Sequence, residues 1–483
     1  MHNQTCPRRS WALWCTTCTA SVALLAGCQS YERVPLDLDA YNSALAARSS
    51  DHEPLHGFID RLAEAGRSTP ERFDLSDGLS PAEGEVFALF YNPGLRIARL
   101  DAGIALASYD NAGLWEDPRF GFDAAEILSP AGVTEYGLTL SLTIPISGRL
   151  AVEKDRAGAA YEAELRRVVH AEWSLRADVR SAWAAWTAEH ARVDLLAEVV
   201  AQVERVSSIT EQLVSAGELT RVESRLIRAE ALSLRNEAVA ARRALAEARI
   251  RLLGLLGLPA DAEIKLLAAF PPVVIPETDD EARRLIASNT SLALRRAEYR
   301  VAEETLRLEV RRQYPDITIG GGYGSEDDDR LLLGVSLPIP ILNANRGGIA
   351  EARARRERVR AIAETTFEQL TRESAVSRAA LDAAREQRAA FESDLVPLLA
   401  LQASEVEQLA ALGEVNTLLL LETITRGFEA RSVLLELRVA ELSAANEITR
   451  LLGPETEEMP SPVQNPPEIN HPGGESSAEE APR

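Results

Sequence analysis

Across residues 137–146 (GLTLSLTIPI), Leu138, Leu140, Leu142, Ile144 and Ile146 alternate with Thr139, Ser141, Thr143 and Pro145. A period of two gives a strand one apolar and one polar face. Residues 331–341 (LLLGVSLPIPI) echo the pattern. About 9–11 residues cross a bilayer as a tilted strand, with lipid-facing apolar positions alternating with lumen-facing polar ones. A half-buried sheet in a soluble domain alternates in the same way. What separates the two readings is the sequel. Each strand runs into a helical pattern of about sixty residues, which a compact soluble domain rarely contains. The expected lipid-facing positions are Leu138, Leu140, Leu142 and Ile144 on one strand, and Leu333, Val335 and Leu337 on the other.

The first long helix shows its own period. Stepping by three and four from Leu165 through Val168, Glu172, Leu175, Val179, Ala182 and Trp186 to Val214 meets eleven apolar residues in fifteen, a coiled-coil seam. At helical rise, residues 150–214 span roughly 100 Å. The second long helix, residues 348–412, carries Pro397, which removes a backbone donor and is expected to kink it. Each long helix stops at a glycine, Gly217 or Gly413, the residue suited to a left-handed stop. An antiparallel return helix follows.

These elements occur twice. Asn92-Pro93-Gly94-Leu95 through Asp117-Pro118 matches Asn289-Thr290-Ser291-Leu292 through Tyr314-Pro315 at an offset of 197, and Leu255-Leu256-Gly257 matches Leu451-Leu452-Gly453 at 196. Each copy reads helix, strand (119–127 or 316–323), turn (129–132 or 325–329), strand, long helix, turn, helix. The expected division is a signal segment over 1–27, a polar strap over 28–80, repeats over 81–257 and 281–453, a linker over 258–280, and a tail over 454–483. That tail is rich in proline and acid, a composition that favours disorder.

Composition narrows the function. No run of eighteen apolar residues follows the N-terminus, so any crossing of a membrane is by strands. Arg8 and Arg9, an apolar stretch, and Leu25-Ala26-Gly27-Cys28 form an export signal. All four cysteines, Cys6, Cys15, Cys18 and Cys28, lie at or before its end, so no disulfide is expected after cleavage. The formal net charge of −22 excludes nucleic acid as a natural partner. His52, His56, His170 and His190 fall at no metal-ligand spacing, and Trp183 and Trp186 read as seam packing. Gly320-Gly321-Gly322 lacks the downstream Lys-Ser/Thr of a phosphate loop and reads as a lumen-facing or turn segment. No catalytic constellation, cofactor or resident metal is expected.

The repeat, strands and helices together resemble the TolC-like outer-membrane efflux proteins. Ala112-Gly113-Leu114-Trp115 before Pro118, and Leu337-Pro338-Ile339-Pro340-Ile341 leading to Asn345-Arg346-Gly347-Gly348, look like the branch serving cobalt-zinc-cadmium and copper-silver exporters. Ser147-Gly148-Arg149 departs from that branch's usual acidic-Gly-Gly turn. The Leu-Ala-Gly-Cys ending resembles a lipobox, which implies acylation of Cys28, and Gln29 after it implies sorting to the outer membrane. The resemblance implies a mainly α fold with a small β part. It further implies that three chains share a twelve-stranded barrel, four strands each, continuing into an α-helical periplasmic tunnel. It also implies a passive channel that works with a periplasmic adaptor and an inner-membrane pump, docked near Gly217, Glu218, Gly413 and Glu414. Glu218 and Glu414 read equally as channel-lining acids or as acids complementing the return helices' dipoles. A soluble adaptor and a structural coiled-coil lipoprotein are the alternatives. The first would need lipoyl-like domains that the sequence lacks, and the second would lack the alternating strands.

Overall fold

A computed structural model describes residues 31–48, 53–64, 77–126, 134–272, 275–276, 278, 280–326, 328–411 and 417–454. Cys28, Gly413, Glu414 and the tail beyond Pro454 lie outside the described residues. The chain divides into two units, residues 1–47 with 470–483, and residues 48–469. The described part of the first has no regular structure over residues 31–37 and then forms α1 (Leu38–Ala46), capped by Asp37 Oδ1, which accepts from the Ala40 N–H at 2.8 Å.

The second unit begins with α2 (Glu53–Glu64), α3 (Pro81–Tyr91) and α4 (Pro93–Asp110). Ser80 opens α3 with a capping box, its hydroxyl accepting from the Glu83 N–H while Glu83 Oε2 accepts from the Ser80 N–H, and Pro81 takes the first helical position. Strands β1 (Arg119–Glu126) and β2 (Thr134–Ile144) follow, then α5 (Arg149–Ala216) and its return α6 (Arg221–Leu256). The second copy repeats the order: α7 (Glu281–Ser288), α8 (Thr290–Arg311), β3 (Ile317–Glu326), β4 (Asp328–Ser336), α9 (Arg346–Ala390), α10 (Val396–Ala411) and α11 (Thr417–Leu452).

Between α9 and α10 one π-helical turn spans Phe391–Leu395. The expected effect of Pro397 takes this form: the ring removes a backbone donor, and the helix widens for one turn just before it. Every seam position from Leu165 to Val214 is buried or half-buried. Glu172, a charged group on the seam, is held by Arg99 at 2.8 Å in a buried pair, and Arg99 also donates to the Leu89 carbonyl.

Each repeat closes on itself in the same way at an asparagine. Asn92 Oδ1 accepts from the Leu95 N–H to cap α4, and its amide donates to the Leu255 carbonyl near the end of α6, at 3.0 and 2.9 Å. Asn289 accepts from the Leu292 N–H to cap α8 and donates to the Leu451 carbonyl of α11, at 2.9 and 2.7 Å. One short side chain thus joins the start of one helix to the end of another. Gly257 and Gly453 terminate those return helices in the left-handed conformation. A Cβ at either would lie 2.3 Å from the Tyr91 carbonyl oxygen or 2.0 Å from that of Ser288, so only glycine allows the approach.

Among its described residues, the linker after α6 holds one isolated bridge. Leu79 and Leu266 pair in parallel, and residues 267–269 cross α5, where the Leu267 carbonyl accepts from buried Trp183 Nε1 at 3.0 Å and the Ala269 carbonyl accepts from the Thr187 hydroxyl. Trp183 stacks edge-on against Trp186, as expected of seam packing.

Candidate functional site

The four strands form one antiparallel sheet in the order β1-β2-β3-β4, so β1 and β4 both present an unpaired edge. Register assigns the faces. Phe120 and Phe122 lie opposite Leu140 and Leu138, which lie opposite Gly321 and Tyr323, which lie opposite Leu333 and Leu331. Leu142 and Ile144 continue this face through Ile319 and Ile317, and Val335 faces Ile319. The structure therefore brings Leu138, Leu140, Leu142, Ile144, Leu333 and Val335 together on one apolar surface.

The other face carries Thr139, Ser141 and Thr143, facing Gly121, Arg119, Gly322, Gly320 and Thr318, with Gly324 and Gly334 farther along. Thr143 and Thr318 share a hydroxyl hydrogen bond at 3.2 Å. This surface is mostly small and polar, with glycine and hydroxyl groups at its centre, Arg119, Asp123 and Arg330 on it as well, and the apolar Leu332 opposite Gly322. Gly320 and Gly322 fall on it, as the lumen-facing reading requires, whereas Gly321 lies among the apolar residues. The period-two run Gly320, Gly322, Gly324 was visible in the sequence, but the matching Gly121, Gly137 and Gly334 gain meaning only through pairing.

Two strand expectations need correction. Leu337 is not on a strand, because β4 ends at Ser336 and residues 337–342 run on without pairing. Pro338 and Pro340 supply no N–H to a ladder, which explains the stop. Pro145 and Ile146 likewise lie beyond the end of β2 at Ile144. Residues 325–329 were expected to be a turn, yet Ser325 pairs with Asp329 and Glu326 with Asp328. Strand pairing satisfies their backbone while the acidic side chains of Asp328 and Asp329 remain exposed.

Where sheet meets helices, an ionic cluster joins both repeats. Arg149, the first residue of α5, contacts Asp316 Oδ2 at 2.7 Å, Glu116 Oε1 at 2.8 Å and Glu153 Oε1 at 3.3 Å. The Ser147 hydroxyl donates to Asp316 Oδ1 at 2.9 Å. Burial opposes ionisation of Asp316, but the hydrogen bonds from Arg149 and Ser147 outweigh it and hold the carboxyl below its ordinary value. Since Glu116 leads into β1 and Asp316 into β3, the cluster fixes both hairpins to the top of α5. Sequence reasoning met Arg149 only as an unusual turn residue, because its partners are 33 and 167 positions away. In the second repeat, Asn345, the residue before α9 and the counterpart of Gly148, donates from its amide to the carbonyl and carboxylate of Glu309, both at 2.8 Å.

At the opposite end of α5, Gly217 takes φ 82° and the Glu218 N–H donates to the Leu213 carbonyl at 2.9 Å, a left-handed helix stop. Glu218 is exposed. The capping of α6 is done by Thr220 and Glu223, each side chain bonding the other's backbone N–H. Hydrogen bonds from Thr220 lower the Glu223 carboxyl below its ordinary value. The structure thus gives the capping contacts to Glu223, and Glu218 stands outside them. Among the described residues no cluster of histidine, cysteine and acids is placed to hold a metal, and no helix is long and apolar enough to cross a membrane.

Residues 88–258 match the family described as outer membrane efflux protein. No curated protein matches the chain by sequence. A membrane protein from Pseudomonas aeruginosa is 18% identical with a TM-score of 0.68, over 91% of this chain and 100% of its own. The CmeC outer membrane channel of Campylobacter jejuni is 13% identical with a TM-score of 0.67, over 88% and 93%. The MtrE outer membrane channel of Neisseria gonorrhoeae, in its open state, is 18% identical with a TM-score of 0.63, over 77% and 89%. The architecture, mainly helical with a small antiparallel sheet, is the fold of these channels.

Proposed function

We propose that the protein is the outer-membrane channel of a tripartite efflux system, in which three copies close a twelve-stranded barrel above a helical tunnel. The observation that carries this reading is the sheet: one apolar face, one glycine and hydroxyl face, and two open edges directly above the long helices. In lipid each unpaired backbone group costs several kcal/mol, so four strands must be closed by other copies, β4 of one against β1 of the next. The apolar face then meets lipid and the glycine face lines a water-filled lumen. The chain acts as a passive conduit rather than an enzyme. An inner-membrane pump and a periplasmic adaptor deliver cargo, metal cations or small toxic compounds, to the end near Gly217 and Gly413. There Glu218 and Glu414 form rings of like charge that favour cations, and Cys28 carries the acyl anchor.

The test is purification followed by conductance in planar bilayers. Extraction only by detergent, an unheated gel band at three times the mass of the heated one, and discrete channel openings are expected. Release as a monomer without detergent would overturn the reading.

A further inference from the structure

Residues 337–342 (LPIPIL) connect β4 to α9 without strand partners, bending where the Ile341 N–H donates to the Ile339 carbonyl at 2.9 Å. Ile339, Ile341 and Leu342 are 73%, 77% and 90% exposed. An apolar stretch this open needs a cover. The first repeat carries the equivalent residues 142–146 (LTIPI), but there Leu142 and Ile144 pair with β3, so that between β2 and α5 only Ile146 is a well-exposed apolar residue, and Ser147 is drawn into the Asp316 cluster.

Two observations say what covers it. Val335 and Leu333 are exposed on the apolar face of β4, and Leu337, Ile339 and Ile341 carry the same alternation onward from that row. Charge gives the second. Residues 346–360, the start of α9, hold six arginines against two glutamates, whereas residues 149–163 of α5 balance three bases with three acids. In a chain of net charge −22, this basic stretch follows the apolar segment in the chain, with Arg346 and Arg353 exposed one heptad apart. Apolar residues that continue a lipid-facing row and lead into arginines match the boundary between acyl chains and anionic headgroups.

We propose that residues 337–342 form an interfacial foot seated in the periplasmic leaflet of the outer membrane, with the Arg346 end of α9 held by anionic phospholipid headgroups. The occupant is phospholipid rather than a second copy of the chain. The proposal rests on the barrel reading above and adds a lipid contact confined to the second repeat. It gives each chain one fixed depth marker at the junction of sheet and tunnel.

The experiment places a photoreactive benzoylphenylalanine at Leu342, Ile339, Leu333 or Glu218 of the full-length chain, irradiates intact cells, and identifies adducts by mass spectrometry. Phospholipid adducts at Leu342, Ile339 and Leu333, and none at Glu218, are expected. Arg346→Gln in the Leu342 variant should lower the share of anionic phospholipid among the adducts about fivefold, the equivalent of about 1 kcal/mol per surface arginine. Lipid adducts at Leu333 with protein adducts or none at Leu342 and Ile339 would overturn the foot and leave the barrel standing. Absence of lipid adducts at Leu333 would overturn both. An unchanged anionic share after Arg346→Gln would overturn the headgroup contact.

Discussion

Replacing Asn289 by alanine should destabilise the protein by about 2–4 kcal/mol. The side chain is 4% exposed and makes two bonds of different kinds. Losing the acceptor for the Leu292 N–H removes a helix cap, worth about 1 kcal/mol. Losing the donor to the Leu451 carbonyl, 2.7 Å away, strands a buried acceptor at the end of α11 at a cost of about 1–3 kcal/mol. Asn92 makes the equivalent bonds but is half-exposed, so water replaces part of them and Asn92→Ala should cost about 1 kcal/mol. Asn289→Asp separates the two contributions, since a carboxylate still caps α8 but cannot donate to Leu451. Urea unfolding in detergent, followed by tryptophan fluorescence, is the assay. Trp173 is a local reporter because its indole N–H donates to the carbonyl of Arg450, the neighbour of Leu451. Equal losses for Asn289→Ala and Asn92→Ala, or a fully stable Asn289→Asp, would refute the claim that burial of the second bond sets the magnitude.

Leu140→Arg on the apolar face should cost about 2–4 kcal/mol near the bilayer midplane, whereas Thr139→Arg, opposite Gly121 and Gly322, should be tolerated; unfolding in lipid vesicles measures both, and equal effects would reject the assignment of faces. Gly217→Val places a branched side chain at φ 82°, a local strain of about 1–2 kcal/mol. Combined with Gly413→Val it should abolish export while the amount of assembled protein in the outer membrane stays normal, as cell fractionation and an export assay would report. Burial first, then Arg450, Arg295 and Arg167, hold His170 below its ordinary value of 6.5. The unfolded chain therefore takes up the proton first as pH falls. The stability tied to neutral His170 is complete above about pH 6.5 and declines below it. His170→Gln should flatten the fall in melting temperature between about pH 7 and pH 5, and an unchanged slope would remove His170 as its source. Mass spectrometry should find Cys28 acylated at the mature N-terminus, and Cys28→Ala should lower sorting efficiency without abolishing the oligomer; an unmodified Cys28 would end that reading.

Period and punctuation carried the local structure. The 3.5-residue seam of α5, the alternation in β2 and the stop at Gly217 depend on neighbours within a few positions, and the offset between the repeats on comparing one stretch with another, so residue order alone determined them. Proline marked where strands end, but Pro338 and Pro340 were read as part of an alternating strand. Their missing donors matter only when a partner strand is present, and β4 accordingly stops at Ser336. Asn92 and Asn289 stood out as repeat landmarks, while their second bonds, to Leu255 and Leu451, span 163 and 162 positions. The ionic clamp of Arg149 on Asp316 and the Trp183 bond to the linker carbonyl are equally long in range. No local pattern encodes such pairings, because any of many arginines or carbonyls could serve until the chain folds. The faces of the sheet divide in the same way: alternation in β2 set which of its residues share a side, and only the register with β1, β3 and β4 gathered the scattered glycines opposite them. Side-chain periodicity is a property of one segment, whereas hydrogen-bond register is a property of two, and the tertiary structure decides the second.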